Sequence, residues 1–282
     1  MSARITAAVL LSLVFGCCAA RAADSVPWHI QTLSGVDVHV QYPVVAGPDA
    51  ARLNPLIQRW LWRNCQESPV LAGEPAGSKN HKSPKDCVAD LSKVCAAMEA
   101  EPARYFHGPT RCAATIGAGV AMDAAGLLVI GMNSSAYTGG AHGSWTIAYL
   151  NLDLHTGRVL DLDDLLKTPY ADALQRLIVK AIRRDWKIPS GEPLTQGGFN
   201  TDDPFIPDTV EIEPKGLDFV WQLYDIAPYA GGTPDVLVSY ADLASLIRKH
   251  GPLARLSDVA VSIPRVSGKG ASTGVAAPPK GP

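Results

Sequence analysis

The sequence has little charge imbalance and few aromatic residues. Among its 282 residues, 25 are Lys or Arg and 27 are Asp or Glu, which gives a formal net charge of −2. A nearly neutral chain has no general attraction for nucleic acid or for an anionic membrane surface. Nucleic acid is therefore not an expected partner. Hydrophobic residues make up 47% of the chain, so a wholly disordered protein is also excluded.

Several short motifs of common catalytic and metal sites are missing. The sequence has no H-E-x-x-H zinc motif, no phosphate-binding P-loop and no EF-hand loop. Its seven histidines are scattered, and none lies four residues from another, as a metal-binding pair on a helix would. We therefore expect no metal, no organic cofactor and no catalytic residue, and we interpret the protein as a non-enzyme.

The N-terminus carries the features of an export signal. The apolar run Ile5–Phe15 is short, and Ala20-Arg21-Ala22 has the small-x-small pattern of a signal-peptidase site. A signal peptide is predicted over residues 1–22, with a periplasmic or secreted mature protein. Residues 14–17 also resemble a degraded lipobox, so membrane attachment through a lipid on Cys17 stays open as an alternative.

Four cysteines remain once Cys17 and Cys18 are set aside, and an even number in an exported chain predicts two disulfides. Cys87 and Cys95 lie on a helix predicted to begin at Ser83-Pro84, where their spacing separates the Cα atoms by about 12 Å. A disulfide needs Cα atoms within about 7 Å, so these two should not pair with each other. Each is expected to pair with Cys65 or Cys112, and both remaining connectivities stay open.

The N-terminal half is predicted to contain one strand before its helices. Apolar and polar residues alternate over 36–42, which indicates a half-buried strand ended by Pro43. Asn54 and Pro55 are typical of an N-cap and a first helical turn, so a helix is expected to begin there.

The rest of the chain mixes strands and helices. Strands are predicted over 115–122, 127–134, 144–153, 209–213, 217–224, 236–239 and 259–263. Helices are predicted after Asp161, around Leu174–Ile182 and over 240–249, with a long loop over 188–208. We interpret Asp161, Asp163 and Asp164 as helix-capping groups in preference to a catalytic acid and base.

This mixture lacks regular βαβ alternation, so the predicted fold class is α+β. We expect a mixed or antiparallel sheet packed with several helices, with two disulfides in the N-terminal half. The predicted organisation is an N-terminal half over 23–133, a C-terminal half over 134–264 and a disordered tail over 265–282, which is rich in Gly, Ser, Ala and Pro.

Several segments of the C-terminal half together form a family signature: Tyr137-Thr-Gly-Gly-Ala-His142, 149–153, Thr156-Gly157, 162–165, Gly216-Leu217, Phe219, 224–230 and 236–246. These segments resemble the RsiV-like domain. That family includes the ectodomain of a lysozyme-sensing anti-sigma factor, a non-catalytic module of peptidoglycan deacetylases and secreted mycobacterial antigens. The resemblance, specific over about 134–249, implies an exported binding domain of α+β fold that acts near the cell wall.

The expected function is therefore binding or inhibition of a lysozyme-like or other wall-degrading enzyme, as by an inhibitor or immunity protein. The candidate contact residues are Tyr137, Thr138, Gly139, Gly140, His142, Phe199, Phe205 and Tyr229. Direct binding of peptidoglycan or another wall glycan is one alternative, and a groove lined with Trp or Tyr would favour it. An unrecognised hydrolase is another, and it would need His142 within hydrogen-bond reach of a carboxylate such as Asp153 or Asp225.

Overall fold

The structure is a computed structural model that describes residues 25–71, 83–101, 111–139 and 141–256. The predicted signal peptide with Cys17, Gly140, the strand expected at 259–263 and the tail from residue 265 all lie outside these residues. Within the described ranges, no helix is long and apolar enough to cross a membrane.

Six strands form one mixed sheet, and their order in space is their order in the chain. They are β1 (Trp28–Gly35), β2 (Val38–Val45), β3 (Ala113–Ala124), β4 (Leu127–Tyr137), β5 (Ser144–Asp153) and β6 (Arg158–Val159). β2 and β3 run parallel, whereas every other neighbouring pair is antiparallel. A parallel pair needs a long crossover, and here the crossover contains the helices α1 (Ala50–Gln66) and α2 (Pro84–Ala100).

A second layer follows in the chain. Its antiparallel sheet consists of β7 (Val210–Glu213), β8 (Gly216–Val220) and β9 (Asp235–Ser239). Its helices are α3 (Leu162–Leu165), α4 (Ala171–Trp186) and α5 (Tyr240–Leu243), and short 3-10 turns occur at Leu194–Gly197, Tyr229–Gly231 and Pro252–Arg255. The predicted α+β class is thus confirmed, with a mixed main sheet packed against helices.

The main sheet separates two hydrophobic cores, and β4 contributes to both. Leu128, Ile130 and Met132 point into a core shared with α1 and α2. Leu127 and Val129 point the other way, into a core shared with α4 and the three-stranded sheet. This explains the unbroken apolar run at the start of β4, because a strand covered on both faces needs no polar alternation. The boundary predicted at 133/134 falls inside this strand.

Both disulfides lie in the first core and confirm the cysteine prediction. Cys65 pairs with Cys87, and Cys95 pairs with Cys112, with Cα–Cα distances of 6.1 Å and 5.0 Å. The first bond joins α1 to the start of α2, and the second joins α2 to the residue before β3. Both Cα–Cα distances lie in the usual range for a disulfide, and Cys87 and Cys95 are not paired with each other.

The predicted start of α1 is wrong by more than one turn. The helix begins at Ala50, and Pro55 lies inside it. Asn54 is not an N-cap: its side chain accepts a hydrogen bond from Val45 N at 2.8 Å and donates one to Val45 O at 2.9 Å. The amide therefore ties the end of β2 to the helix, a long-range role that a local capping pattern does not distinguish.

The first strand pair also differs from the prediction. A strand that the sequence pattern did not indicate, β1, precedes β2, and β2 continues through Pro43 to Val45. β3 pairs with β2 only at Val38–Gln41, so Pro43 lies where β2 has a single strand neighbour. Proline is tolerated at such positions because its missing N–H breaks no central ladder.

Two elements near the C-terminus are shorter than predicted. β8 ends at Val220, because the chain then turns and Asp225 Oδ2 accepts a hydrogen bond from Gln222 N at 2.7 Å. The helix expected over 240–249 ends at Leu243. The chain after it bonds to the segment following α3 instead, since Lys167 N donates to Leu246 O at 2.7 Å.

Candidate functional site

Four aromatic rings gather where the segment after β4 meets the segment after β8. We call His142, Trp145, Tyr224 and Tyr229 the aromatic cluster. Tyr229 lies at its centre: the His142 ring stacks on it with centroids 3.7 Å apart and an interplanar angle of 22°. Trp145 meets Tyr229 edge-on at 5.5 Å, and Tyr224 lies tilted at 5.9 Å. The two longer separations lie within the range that is typical of attractive ring pairs.

Hydrogen bonds to the free edge of β5 hold this cluster in place. β6 pairs with β5 only at Leu152 and Asp153, so the earlier part of β5 has no strand on that side among the described residues. Tyr229 Oη donates to Gly143 O at 2.9 Å. Gln222 accepts from Ile147 N at 2.9 Å and donates to Ile147 O at 2.8 Å, as a neighbouring strand would. These bonds position Tyr229, against which the other three rings lie.

Tyr224 is an exposed ring of the cluster, with 56% of its surface accessible. Its φ of 70° lies in the left-handed region, which is unfavourable for a bulky residue. Residues held in this way often occur at functional sites. The sequence analysis missed Tyr224 and Trp145, and no glycine or turn motif at position 224 signals the unusual backbone.

Polar and small side chains extend the cluster across the main sheet. One row of paired residues runs Ser34, His39, Thr115, Ser135 and Trp145. Directly paired residues share a face, so these side chains point away from α1 and α2. Ser34, His39 and Thr115 are exposed, while Ser135 and Trp145 are half-buried. The aromatic cluster therefore borders an accessible polar surface.

Only some of the predicted contact residues lie in the aromatic cluster. His142 and Tyr229 form the cluster, Tyr137 ends β4 in a half-buried position, and Thr138 and Gly139 follow it. Gly139 has a φ of 96°, a conformation that favours glycine.

The long loop contains two of the predicted contact residues, Phe199 and Phe205, and only one of them is exposed. Phe205 is 53% exposed, and its carbonyl accepts a hydrogen bond from Trp221 Nε1 at 2.9 Å. Phe199 is only 5% exposed and meets Trp186 edge-on at 5.1 Å. Its ring therefore packs into the second core and offers little surface for the predicted contact with a partner.

The arrangement that a hydrolase would need around His142 does not occur in the described residues. His142 Nδ1 lies 3.0 Å from Gly143 O, and no hydrogen bond joins the ring to a carboxylate there. Asp153 is instead bonded to Arg255 Nη2 at 3.0 Å and to His155 N at 2.9 Å. Burial alone would raise the pKa of Asp153, but these hydrogen bonds lower it below its usual value.

The capping interpretation of the acidic group after β6 is confirmed for two of its members. Asp161 Oδ1 accepts from Asp164 N at 3.1 Å, and Asp164 Oδ2 accepts from Asp161 N at 3.3 Å. This reciprocal pair is a capping box at the start of α3.

An open cleft of about 630 Å³ lies beside α1, β5 and α3. Its lining includes three aromatic side chains, Trp60, Tyr149 and Tyr170, together with the charged residues Arg63, Asp161 and Asp163. Aromatic surfaces with a few polar groups are typical of sites for small ligands. The sequence analysis did not identify this cleft, because its lining comes from four separated segments.

A different set of residues could hold a metal ion. Oxygen atoms of Glu211, Glu213 and Asp218 all lie within 4.8 Å of one another. Glu211 and Asp218 are directly paired across β7 and β8, and Glu213 shares their face. No pattern in the sequence predicted this group, because each acid lies singly among apolar strand residues.

Comparison with known proteins finds a family match in the second layer. Residues 163–241 match the family model DUF3298, described as a protein of unknown function. This DUF3298 segment begins in α3 and ends in α5, and it includes Tyr224 and Tyr229 of the aromatic cluster. No curated protein matches the sequence significantly.

Two solved structures of DUF3298 family proteins have the same fold. The structure from Bacteroides fragilis has 19% sequence identity and a TM-score of 0.66, with 83% of this chain and 99% of that chain covered. The structure from Pseudomonas aeruginosa has 20% identity and a TM-score of 0.55, with coverages of 80% and 96%. At these identities the similarity concerns the fold.

Proposed function

We propose that the protein is an exported, non-enzymatic binding protein that captures a lysozyme-like or other wall-degrading enzyme through the aromatic cluster. The observation that carries this proposal is a pre-ordered, partly exposed group of aromatic rings at a sheet edge. Tyr and Trp are enriched among the residues that dominate binding energy at protein interfaces. Rings that are already fixed lose little conformational freedom on binding, which favours affinity.

The backbone around the cluster supports this role. Tyr224 keeps a strained conformation while its ring stays largely exposed. Tyr229 and Gln222 fix the segment to β5 through three hydrogen bonds to backbone groups. A partner would therefore meet a rigid surface with one protruding ring.

Two further observations support export and the class of partner. Disulfides persist in oxidising compartments, and this chain forms two of them. The resemblance of residues 134–249 to the RsiV-like domain connects the chain with a family in which one member senses lysozyme. We place the mature protein in the periplasm or outside the cell on this basis.

The test is a titration of lysozyme activity with the purified, oxidised protein and two single variants. Wild type should inhibit stoichiometrically, and Tyr224→Ala should weaken the inhibition by at least about tenfold, the loss expected of an interface residue worth about 1.4 kcal/mol. Trp28→Ala is the matched control, because Trp28 is 42% exposed on β1, which is separated from β5 by three strands of the main sheet. Equal losses in both variants, or no inhibition by wild type, would contradict the proposal.

The cleft beside α1 favours a second candidate function, binding of a wall glycan. Trp60, Tyr149 and Tyr170 offer flat apolar faces, and Arg63 and Asp163 offer hydrogen-bonding groups. Calorimetric titration with soluble peptidoglycan fragments checks this candidate. Trp60→Ala should abolish the binding heat and Tyr224→Ala should not, whereas the reverse result would place any glycan at the aromatic cluster.

A further inference from the structure

The face of the three-stranded sheet that turns away from the second core carries several carboxylates. Ile212, Leu217 and Val238 point into the core, so their strand neighbours Glu211, Glu213 and Asp218 point outward. Asp218 lies in the central strand, between Glu211 on β7 and Leu237 on β9.

Asp218 is buried although it is an acid, with only 8% of its surface exposed. Its Oδ1 atom is inaccessible to solvent and has no hydrogen-bond partner within the described part of the chain. A buried carboxylate without a partner is costly, because the charge loses its hydration and gains nothing in return. Either a proton or a cation must compensate for it.

The charges around Asp218 favour a positive ion. The pKa of Asp218 is raised to about 8, mainly by burial and then by the negative charges of Asp235, Glu213, Glu211 and Asp185, in that order of influence. Burial likewise raises the pKa of Glu211 to about 7, although a hydrogen bond with Tyr149 opposes this rise.

Among the described residues, few positively charged side chains lie near this face. Lys215 lowers the pKa of Glu213, but burial and Asp235 outweigh it. Arg184 is bonded to Asp185, with Nε 2.6 Å from Oδ1, and also to Leu237 O. Little positive charge thus balances the negative charge of the carboxylates on this face.

We propose that Glu211, Glu213 and Asp218 form a binding site for a Ca²⁺ ion. Ca²⁺ takes oxygen ligands at about 2.3–2.6 Å, so two ligands on opposite sides of the ion lie about 5 Å apart. The three oxygen atoms, all within 4.8 Å of one another, fit around such an ion. The set contains no sulfur or nitrogen ligand, which disfavours softer metals.

A bound Ca²⁺ would give the buried oxygen of Asp218 its missing partner and would neutralise two of the three carboxylate charges. The ion would join β7 to β8 on the face of the sheet opposite the second core. This role is independent of the aromatic cluster, and neither proposal requires the other.

The experiment compares thermal unfolding of metal-free protein with and without Ca²⁺. At a Ca²⁺ concentration a hundredfold above the dissociation constant, the Tm of wild type should rise by about 5–10 °C. The Asp218→Asn variant should lose this rise. Its metal-free form should nevertheless be at least as stable as metal-free wild type, because an unpaired buried carboxylate has been removed.

Two more variants keep the result interpretable. Asp37→Asn removes one exposed carboxylate at the turn between β1 and β2 and should retain the full Ca²⁺ effect. Glu213→Gln alters a half-buried ligand and should reduce the Ca²⁺ effect even if Asp218→Asn does not fold. The proposal is overturned if wild type shows no Ca²⁺-dependent rise in Tm, or if the rise persists in Asp218→Asn or Glu213→Gln.

Discussion

The two faces of the main sheet are held to their neighbouring layers in different ways. On one face, α1 and α2 pack against the sheet, and two disulfides join these helices to each other and to the chain entering β3. On the other face, the second layer docks through apolar packing and through the side-chain amides of Asn151 and Gln222. Covalent bonds thus secure the first layer, whereas buried polar contacts set the position of the second.

This difference matters for function because two of the candidate sites depend on polar contacts of the second layer. Gln222 and Tyr229 hold the segment that carries the aromatic cluster, and Asn151 bonds to β7, the strand that carries Glu211 and Glu213. A change that loosens the second layer should therefore disturb binding before it disturbs the disulfide-linked half.

The largest expected effect comes from removing the covalent bonds. Replacing all four cysteines, Cys65, Cys87, Cys95 and Cys112, with Ala should lower the free energy of unfolding by several kcal/mol, since each native disulfide typically contributes about 2–5 kcal/mol. Urea unfolding of the variant and of oxidised wild type measures the difference. A loss below about 1 kcal/mol would show that packing alone secures this layer. Addition of a reductant to the variant is the control, because it should then change nothing.

A smaller loss is expected from the buried amide of the second layer. Asn151 Nδ2 donates to Val210 O at 2.8 Å, and its Oδ1 accepts from Ile212 N at 3.2 Å. Asn151→Ala leaves both backbone groups of β7 without these partners, so stability should fall by about 2–4 kcal/mol. Urea unfolding measures the loss, with Asn200→Ala, an exposed position, as the control. An equal loss in both variants would argue against the docking role of Asn151.

The pH dependence of stability should also distinguish the two layers, because Asp218, whose pKa is raised, lies in the second. The pKa of Asp218 in the folded protein, about 8, is higher than the usual value of the unfolded chain. The folded state therefore binds the extra proton, and metal-free protein should lose stability as pH rises between about 4 and 8. The slope is at most about 1.4 kcal/mol per pH unit for each such proton.

Unfolding of metal-free wild type and Asp218→Asn across this range measures the effect. The variant should show a shallower slope, with Glu211 accounting for part of what remains. Identical slopes would mean that Asp218 does not carry the extra proton.

The sequence was most informative where a structure depends on neighbouring residues. Ser83 and Asp86 form the capping box of α2 at the predicted helix start. The spacing of Cys87 and Cys95 correctly excluded a bond between them. The residue patterns of β3, β5 and α4 and the apolar run at the start of β4 likewise predicted that these elements exist, because each buries apolar side chains in a regular way.

The sequence was least informative where the role of a residue depends on contacts with another element of the fold. Asn54 looked like a local cap and instead bonds Val45, and Tyr224 looked like the end of a strand. The acidic face became visible only when the register placed Glu211 opposite Asp218. These features depend on which strands become neighbours, and no local pattern contains that information.

The position of β4 has a consequence for the order of assembly. Since the chain is made from its N-terminus, all four cysteines of the two disulfides appear before the strand that both cores share. Each bond closes a short stretch of chain, with sequence separations of 22 and 17 residues. Both disulfides of the first layer can thus form before β4 has been synthesised. The second layer then folds against a first layer whose covalent bonds are already in place.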